Sequence, residues 1–200
     1  MVDRNMKNNP NPMIDHETVM KALKSISKHT DKKNLPLALV RGVAMSFYGS
    51  PRLTKDVDII ASAILALVAE RQLGFGGERC TTKVGRKGVP VDWIVRNDNI
   101  DVFYHKALAE ASIGFEGLPL VTPEWMVILK YLAGRFRDQQ DGFSPEKRKG
   151  LVNRRLIRRK IAETIGPAGW AAFAIGLKHW YDLADGKITT EKRRLRSDRL

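Results

Sequence analysis

Two aspartates separated by one residue, Asp56-Val57-Asp58, are the feature of this chain best suited to chemistry. In an extended strand, residues two apart project to the same face, so the two carboxylates converge. Like charges that close are tolerated when a cation lies between them, when one is protonated, or when water screens both. The run Val57-Asp58-Ile59-Ile60 reads as at least half buried, which disfavours screening and leaves a hard divalent cation as the natural partner. A third carboxylate, Asp92, interrupts the otherwise apolar Val89 to Val95 and needs a partner of its own. If its strand lies beside that of the Asp pair, the three form one site for Mg²⁺ and the phosphates of a nucleoside triphosphate. One ion would then lower the pKa of an attacking hydroxyl, with Asp92 as general base, while another neutralises the triphosphate and its leaving pyrophosphate.

The elements that must position these residues are legible around them. Leu35 to Val40 is an apolar run of strand length, and Gly42 to Tyr48 can start a helix immediately after it. A helix N-terminus carrying glycine lets backbone N–H groups approach a phosphate, and Arg52 and Lys55, with Thr54 between them, add positive charge before the Asp pair. Asp56 to Ile60 reads as a second strand and Ala61 to Leu73 as a helix stopped at Gly74. Arg79 to Val84 and Val89 to Arg96 flank Gly85-Arg86-Lys87-Gly88, an antiparallel hairpin that carries Asp92. Helices are expected over His16 to Ser27, Asn99 to Ala111 and, after the Thr122-Pro123 start signal, Trp125 to Ala133. Phe115 to Val121 reads as extended. Beyond Gly142 the pattern predicts one or two basic helices, a stop at Gly166-Pro167, and a final helix over Trp170 to Leu183. The whole is an α+β arrangement: a small mixed or antiparallel sheet with helices, followed by a basic helical region. The expected divisions are a polar leader (1–15), the sheet-bearing core (16–121), a helical region (122–188) and a basic tail (189–200).

Composition narrows the classes of function. No apolar run approaches the roughly 20 residues of a membrane helix, and Met1 to Asp15 lacks a signal peptide's apolar centre, so a cytoplasmic protein is expected. A single cysteine, Cys80, excludes an intramolecular disulfide, and the four histidines have no zinc-ligand spacing. The 200 residues carry a formal charge of +13, concentrated near the end: from Lys147 onward there are 15 bases and five acids. Such a segment attracts polyanions, RNA first among them, by neutralising phosphates and releasing counterions.

Taken together, Arg41-Gly-Val-Ala-Met-Ser-Phe-Tyr-Gly49 and Arg52-Leu-Thr-Lys-Asp-Val-Asp58 resemble nucleotidyltransferases of the AbiEii toxin type, members of the polymerase-β-like superfamily. Pro119 to Asp141, with Lys130, Ala133-Gly134-Arg135 and Asp138-Gln-Gln-Asp141, is similar to the family's lysine-bearing helix and following acidic motif. The resemblance spans roughly Leu35 to Asp141. It implies NTP-dependent transfer, Mg²⁺ held by Asp56 and Asp58 with Asp92 as the third acid, and Lys130 near the phosphates, with Gly42, Arg52, Thr54 and Arg135 toward the nucleotide. Family members include toxins that modify the 3′ end of tRNA and are paired with a cognate antitoxin. The chain departs from the pattern at Arg41, where a small residue usually precedes the glycine.

Plainer roles compete with these. The Asp pair would be a solvated edge strand, Asp92 a structural partner of Arg52 or Arg96, Lys130 a snorkelling residue on an amphipathic helix, and Arg135 with Asp138 a surface ion pair. Three functions of different kinds follow: transfer of a nucleotide to RNA, transfer to a protein or small-molecule hydroxyl, or a catalytically silent protein that binds RNA or a partner on the same fold.

Overall fold

The computed structural model describes residues 13–31, 34–51, 53–64, 69–114, 117–134 and 150–188. Among them are five helices and seven strands, and the strands form one mixed sheet in the order β3-β4-β5-β2-β1-β7-β6. The strands are β1 (Leu37–Val40), β2 (Val57–Ala61), β3 (Arg71–Gln72), β4 (Glu78–Val84), β5 (Lys87–Ile94), β6 (Ser112–Ile113) and β7 (Pro119–Leu120). The central strands are almost wholly apolar because both faces are covered: β1 is Leu-Ala-Leu-Val and every residue of β2 is buried. β2 runs antiparallel to β1 and parallel to β5, and β4 and β5 form the expected hairpin. That hairpin is tighter than its sequence suggests. Lys87 and Gly88 continue β5, which leaves Gly85-Arg86 as a two-residue connection with Gly85 at φ +60°.

The helices are α1 (His16–Asp31), α2 (Arg41–Phe47), α3 (Asp101–Ala109), α4 (Pro123–Ala133) and α5 (Arg154–Ala184). α1 buries Val19, Ala22, Leu23 and Ile26, the stripe that its 3.6-residue period predicts, and runs beyond Ser27 to Asp31. The described part of Ala61 to Leu73 is not the expected helix, and residues 65–68 lie outside the described residues. β2 continues to Ala61, residues 62–64 and 69–70 are non-helical, and Arg71–Gln72 pairs with β4 as an edge strand. Pairing to an existing sheet edge outweighs helix propensity in so short a segment.

α5 contains the predicted stop. Gly166 adopts φ +77°, ψ 171°, a conformation open to glycine and outside any helix, and Pro167 opens the next segment where its missing N–H is harmless. The start is capped by Asn153, whose side-chain oxygen accepts from the Arg155 and Leu156 N–H groups at 3.0 and 3.2 Å. Asn153→Ala should therefore lower stability by about 1 kcal/mol, read as a fall in thermal midpoint of about 2–4 °C. At α4 the Thr122 side chain makes no such cap, and its buried hydroxyl has no hydrogen-bond partner among the described residues. Glu124 instead turns to the next element and accepts the Asn153 N–H at 3.0 Å. Ile157, Ile161 and Leu177 of α5 join the same core as the sheet, so the basic helix is packed on the fold.

Candidate functional site: a carboxylate cluster balanced by two arginines

The site is built by strand register. β2 and β5 are parallel neighbours with Asp58 directly opposite Asp92, and β4 places Arg79 opposite Asp92 on its other side. Alternation along the strands puts Asp58, Asp92 and Arg79 on one face and Val57, Ile59, Val91, Trp93 and Cys80 on the other. Asp56 lies one residue before β2 begins and, two residues from Asp58, projects to the same side. Thr54 shapes its approach: its hydroxyl donates to the Asp56 carbonyl at 2.7 Å, and Ile14 pairs with Thr54 to hold that turn against the chain's start.

Asp58 therefore faces Asp92, and Arg79 links Asp92 to Asp56, but the partners of these acids differ from those expected. Arg41 donates through Nη1 to Asp58 Oδ1 at 2.7 Å. Arg79 donates to both oxygens of Asp92, through Nε and Nη2, and through Nη2 to Asp56 Oδ2 at 2.7 Å. Arg96, one of the suggested partners of Asp92, pairs with Asp98 instead. Asp58 and Asp92 are 5% and 6% exposed, so neither is a solvated surface acid.

Burial pushes the Asp58 carboxyl up to about 6; the Arg41 guanidinium opposes the rise, and Asp56 and Asp92 add to it. The hydrogen bond to Asp92, with the charges of Asp92 and Asp56, holds Arg79 well above the usual guanidinium range. Arg79 went unnoticed in the sequence because it is one base among many. The signal that finds it is register, since the residue opposite a buried acid on the hairpin is the one that must neutralise it.

Arg41, the bulky residue that precedes Gly42, has a backbone that would suit a glycine. It sits at φ +59°, in the left-handed region that costs an L-residue about 1 kcal/mol or more. The N–H is taken by the Met126 sulphur at 3.3 Å, and the guanidinium reaches Asp58 and lies 5.6 Å from the Phe75 ring centre. Arg96 lies over Phe75 as well, at 5.4 Å, so two cations are within cation–π reach of this ring. The turn carrying Phe75 needs glycine where it crosses the end of β5: at Gly77, φ +94°, an added Cβ would fall 1.9 Å from the Trp93 carbonyl oxygen.

Gly42, in the first turn of α2, packs on Thr54, and an added Cβ would lie 2.6 Å from its Oγ1. Close packing thus accounts for this glycine independently of any phosphate. If packing is its role, Gly42→Ala lowers the thermal midpoint and Thr54→Ala restores part of the loss. If backbone approach to a phosphate is its role, the midpoint holds and nucleotide affinity falls instead. Lys130 is partly buried in the last turn of α4. Four residues on from Met126, it shares the helix face that meets Arg41. Arg52 and Arg135, with Asp138 and Asp141, lie outside the described residues. A separate apolar hollow is lined by Ile14, Val19, Met20, Val43, Phe47 and Leu53 among others, and none of the three carboxylates lines it.

As a donor set, three carboxylates on one face suit a hard divalent cation. As the side chains stand, their oxygens are turned to guanidinium groups. Among the described residues no three acidic, histidine or cysteine side chains are placed to share one ion. No described helix is long and apolar enough to cross a membrane.

In sequence the chain matches no protein-family profile and no curated protein. In structure it is similar to an antigenic nucleotidyltransferase-like protein from Paracoccidioides brasiliensis, with 16% identity and TM-score 0.46 over 87% of this chain and 94% of that one. It is similar also to a protein from H. pylori assigned as a nucleotidyltransferase, with 13% identity and TM-score 0.47 over 88% and 86% of the two chains. A third likeness is to the antibiotic-resistance factor ANT(2'')-Ia, with 13% identity and TM-score 0.40 over 86% and 98%. At such scores the likeness says nothing of chemistry, which rests on the residues of the site themselves.

Proposed function

We propose that this protein is a nucleotidyltransferase that moves a nucleoside monophosphate from an NTP to an acceptor hydroxyl. The observation that carries the reading is the meeting of Asp56, Asp58 and Asp92 on one sheet face, two of them buried. Buried acids of like charge are expensive to maintain, and a fold that buries two of them beside a third, at the cost of a strained Arg41, is built around a function. Asp56, Asp58 and Asp92 would hold Mg²⁺, which when bound supplies charge neutralisation of the triphosphate. The chain's own residues do the rest. In this reading Asp92, once released by Arg79, would accept the acceptor's proton, and Lys130 and Arg41 would meet the phosphates.

The acceptor we propose is the 3′ end of an RNA, tRNA in the first instance. Its support is the basic α5, whose Arg155, Arg158 and Arg159 are exposed, with Arg158 over the Trp170 ring at 5.7 Å. The motif resemblance of Arg41 to Asp58 adds a toxin role with a cognate antitoxin as partner, and a cytoplasmic location goes with it. Incubation with each labelled NTP, Mg²⁺ and total RNA tests the reading. Label in RNA, lost in Asp58→Asn, is expected; label in protein or small molecules would move the acceptor, and no label with any nucleotide would sink the transferase.

One observation favours a second reading, a catalytically silent RNA-binding protein: Arg41 and Arg79 already balance the carboxylates. That protein would bind RNA but show no calorimetric binding of Mg²⁺ with NTP. Clear binding that Asp56→Ala removes would eliminate it.

A further inference from the structure

The acids that would hold a divalent cation are already held by a cation of the chain's own. Arg79 faces Asp92 across the hairpin, grips both oxygens of that carboxylate, and spends Nη2 a second time on Asp56. A guanidinium is permanently charged and its planar fork matches a carboxylate edge, so this is the strongest neutralisation a side chain offers. The contact is also shielded, for the Arg79 side chain is 17% exposed and that of Asp92 8%. A purely structural partner for Asp92 would need only the two-pronged contact. Bridging on to Asp56 puts positive charge between two acids, which is where a metal ion would sit.

We propose that Arg79 is a built-in counter-cation that competes with the divalent ion for Asp56 and Asp92, making metal and nucleotide bind together. Metal entry must break three charge-assisted hydrogen bonds, and the released guanidinium needs a new anion. A triphosphate supplies one and bare Mg²⁺ does not. Divalent metal alone therefore binds weakly, and NTP promotes its binding by taking Arg79 over. This rests on the reading of the three carboxylates as the metal site.

The test is Mn²⁺ titration of the full-length protein followed by electron paramagnetic resonance, at low ionic strength, with and without a non-hydrolysable NTP analogue. Without nucleotide, Arg79→Gln is expected to bind Mn²⁺ about tenfold or more tightly than the native protein, with Arg79→Lys between them. The analogue is expected to tighten Mn²⁺ binding strongly in the native protein and little in Arg79→Gln. Equal Mn²⁺ affinity in native and Arg79→Gln proteins, lost from both on adding Asp92→Asn, overturns the role of Arg79 while the metal site stands. No Mn²⁺ bound by the folded native protein, even with the analogue, overturns both. If Arg79→Gln does not fold, the native protein decides through its Arg79 Nε–H resonance, identified by its loss in Arg79→Lys. That signal is expected to move when Mg²⁺ and the analogue saturate the site, and an unmoved signal alongside demonstrated metal binding overturns the proposal.

Discussion

Asp58→Asn is expected to lower nucleotidyl transfer about 10³-fold or more and, at the same time, to raise the thermal midpoint at neutral pH. The loss follows from removing a central charge of the cluster that would stabilise the transferring phosphates' environment. The gain follows from burial. Asp58 is 5% exposed and its carboxyl is pushed up to about 6 from an unfolded value of 3.8, so in the folded protein the ionised form is the disfavoured one. A folded pKa above the unfolded one means the unfolded chain gives up this proton first as pH rises. The contribution of the protonated group to stability is full below about pH 4 and is lost as pH climbs through about 6. At pH 7.5 the ionised Asp58 thus costs on the order of 2–3 kcal/mol, which asparagine does not incur. Scanning calorimetry should find the variant several degrees more stable at pH 7.5, with the difference closing toward pH 4. A variant less stable than the native protein at both pH values would show that the Arg41 contact outweighs burial.

The second large effect lies in the bolt that fastens α5 to the fold. Trp125 of α4 is fully buried, its indole N–H donates to Glu110 Oε2 at 3.0 Å, and the Lys160 ammonium of α5 lies 5.2 Å from its ring. Glu110, just past α3, also pairs with Lys160, and these charge contacts with the indole N–H draw its carboxyl below the usual range against the opposing effect of burial. Three helices thus converge on one side chain. Trp125→Ala should cost about 3–5 kcal/mol through the lost packing and the cavity, and more if Lys160 is left without its ring. Trp125→Phe keeps most of the volume and should cost about 1–2 kcal/mol through the lost hydrogen bond. Urea unfolding distinguishes them by the midpoint at constant slope, and a midpoint unmoved in Trp125→Ala would mean that α5 is not held through this residue.

What the sequence revealed of the fold was what periodicity and punctuation encode. The apolar runs at Leu37–Val40 and Val57–Ala61, the glycine-flanked hairpin, the Pro123 helix start and the Gly166 break all stand where local signals put them. The end of the segment Ala61 to Leu73 was misread because its apolar residues fit a helix, while the force that makes Arg71–Gln72 a strand, an open sheet edge beside β4, is not local. The site was legible to the same extent. Asp56 and Asp58 announce themselves by spacing, and Asp92 by standing in an apolar strand, but its place opposite Asp58 comes from the parallel pairing of β2 with β5, which is not local. Their arginine partners were not legible, because a base opposite a buried acid is visible only once the strand register is known. Arg41 was noticed as an oddity, yet its left-handed backbone and its reach to Asp58 follow from tertiary structure.

The central claim, that Asp56, Asp58 and Asp92 form one site for metal and nucleotide, is tested most directly by a crystal structure grown with Mn²⁺ and a non-hydrolysable NTP analogue, read by anomalous scattering. An anomalous peak is expected within about 2.5 Å of carboxylate oxygens of the cluster. Arg79 is expected to have left Asp56, with the triphosphate on the Arg41 side. Asp56 and Asp92 still gripped by Arg79, with no peak beside them at saturating Mn²⁺ and analogue, would contradict it.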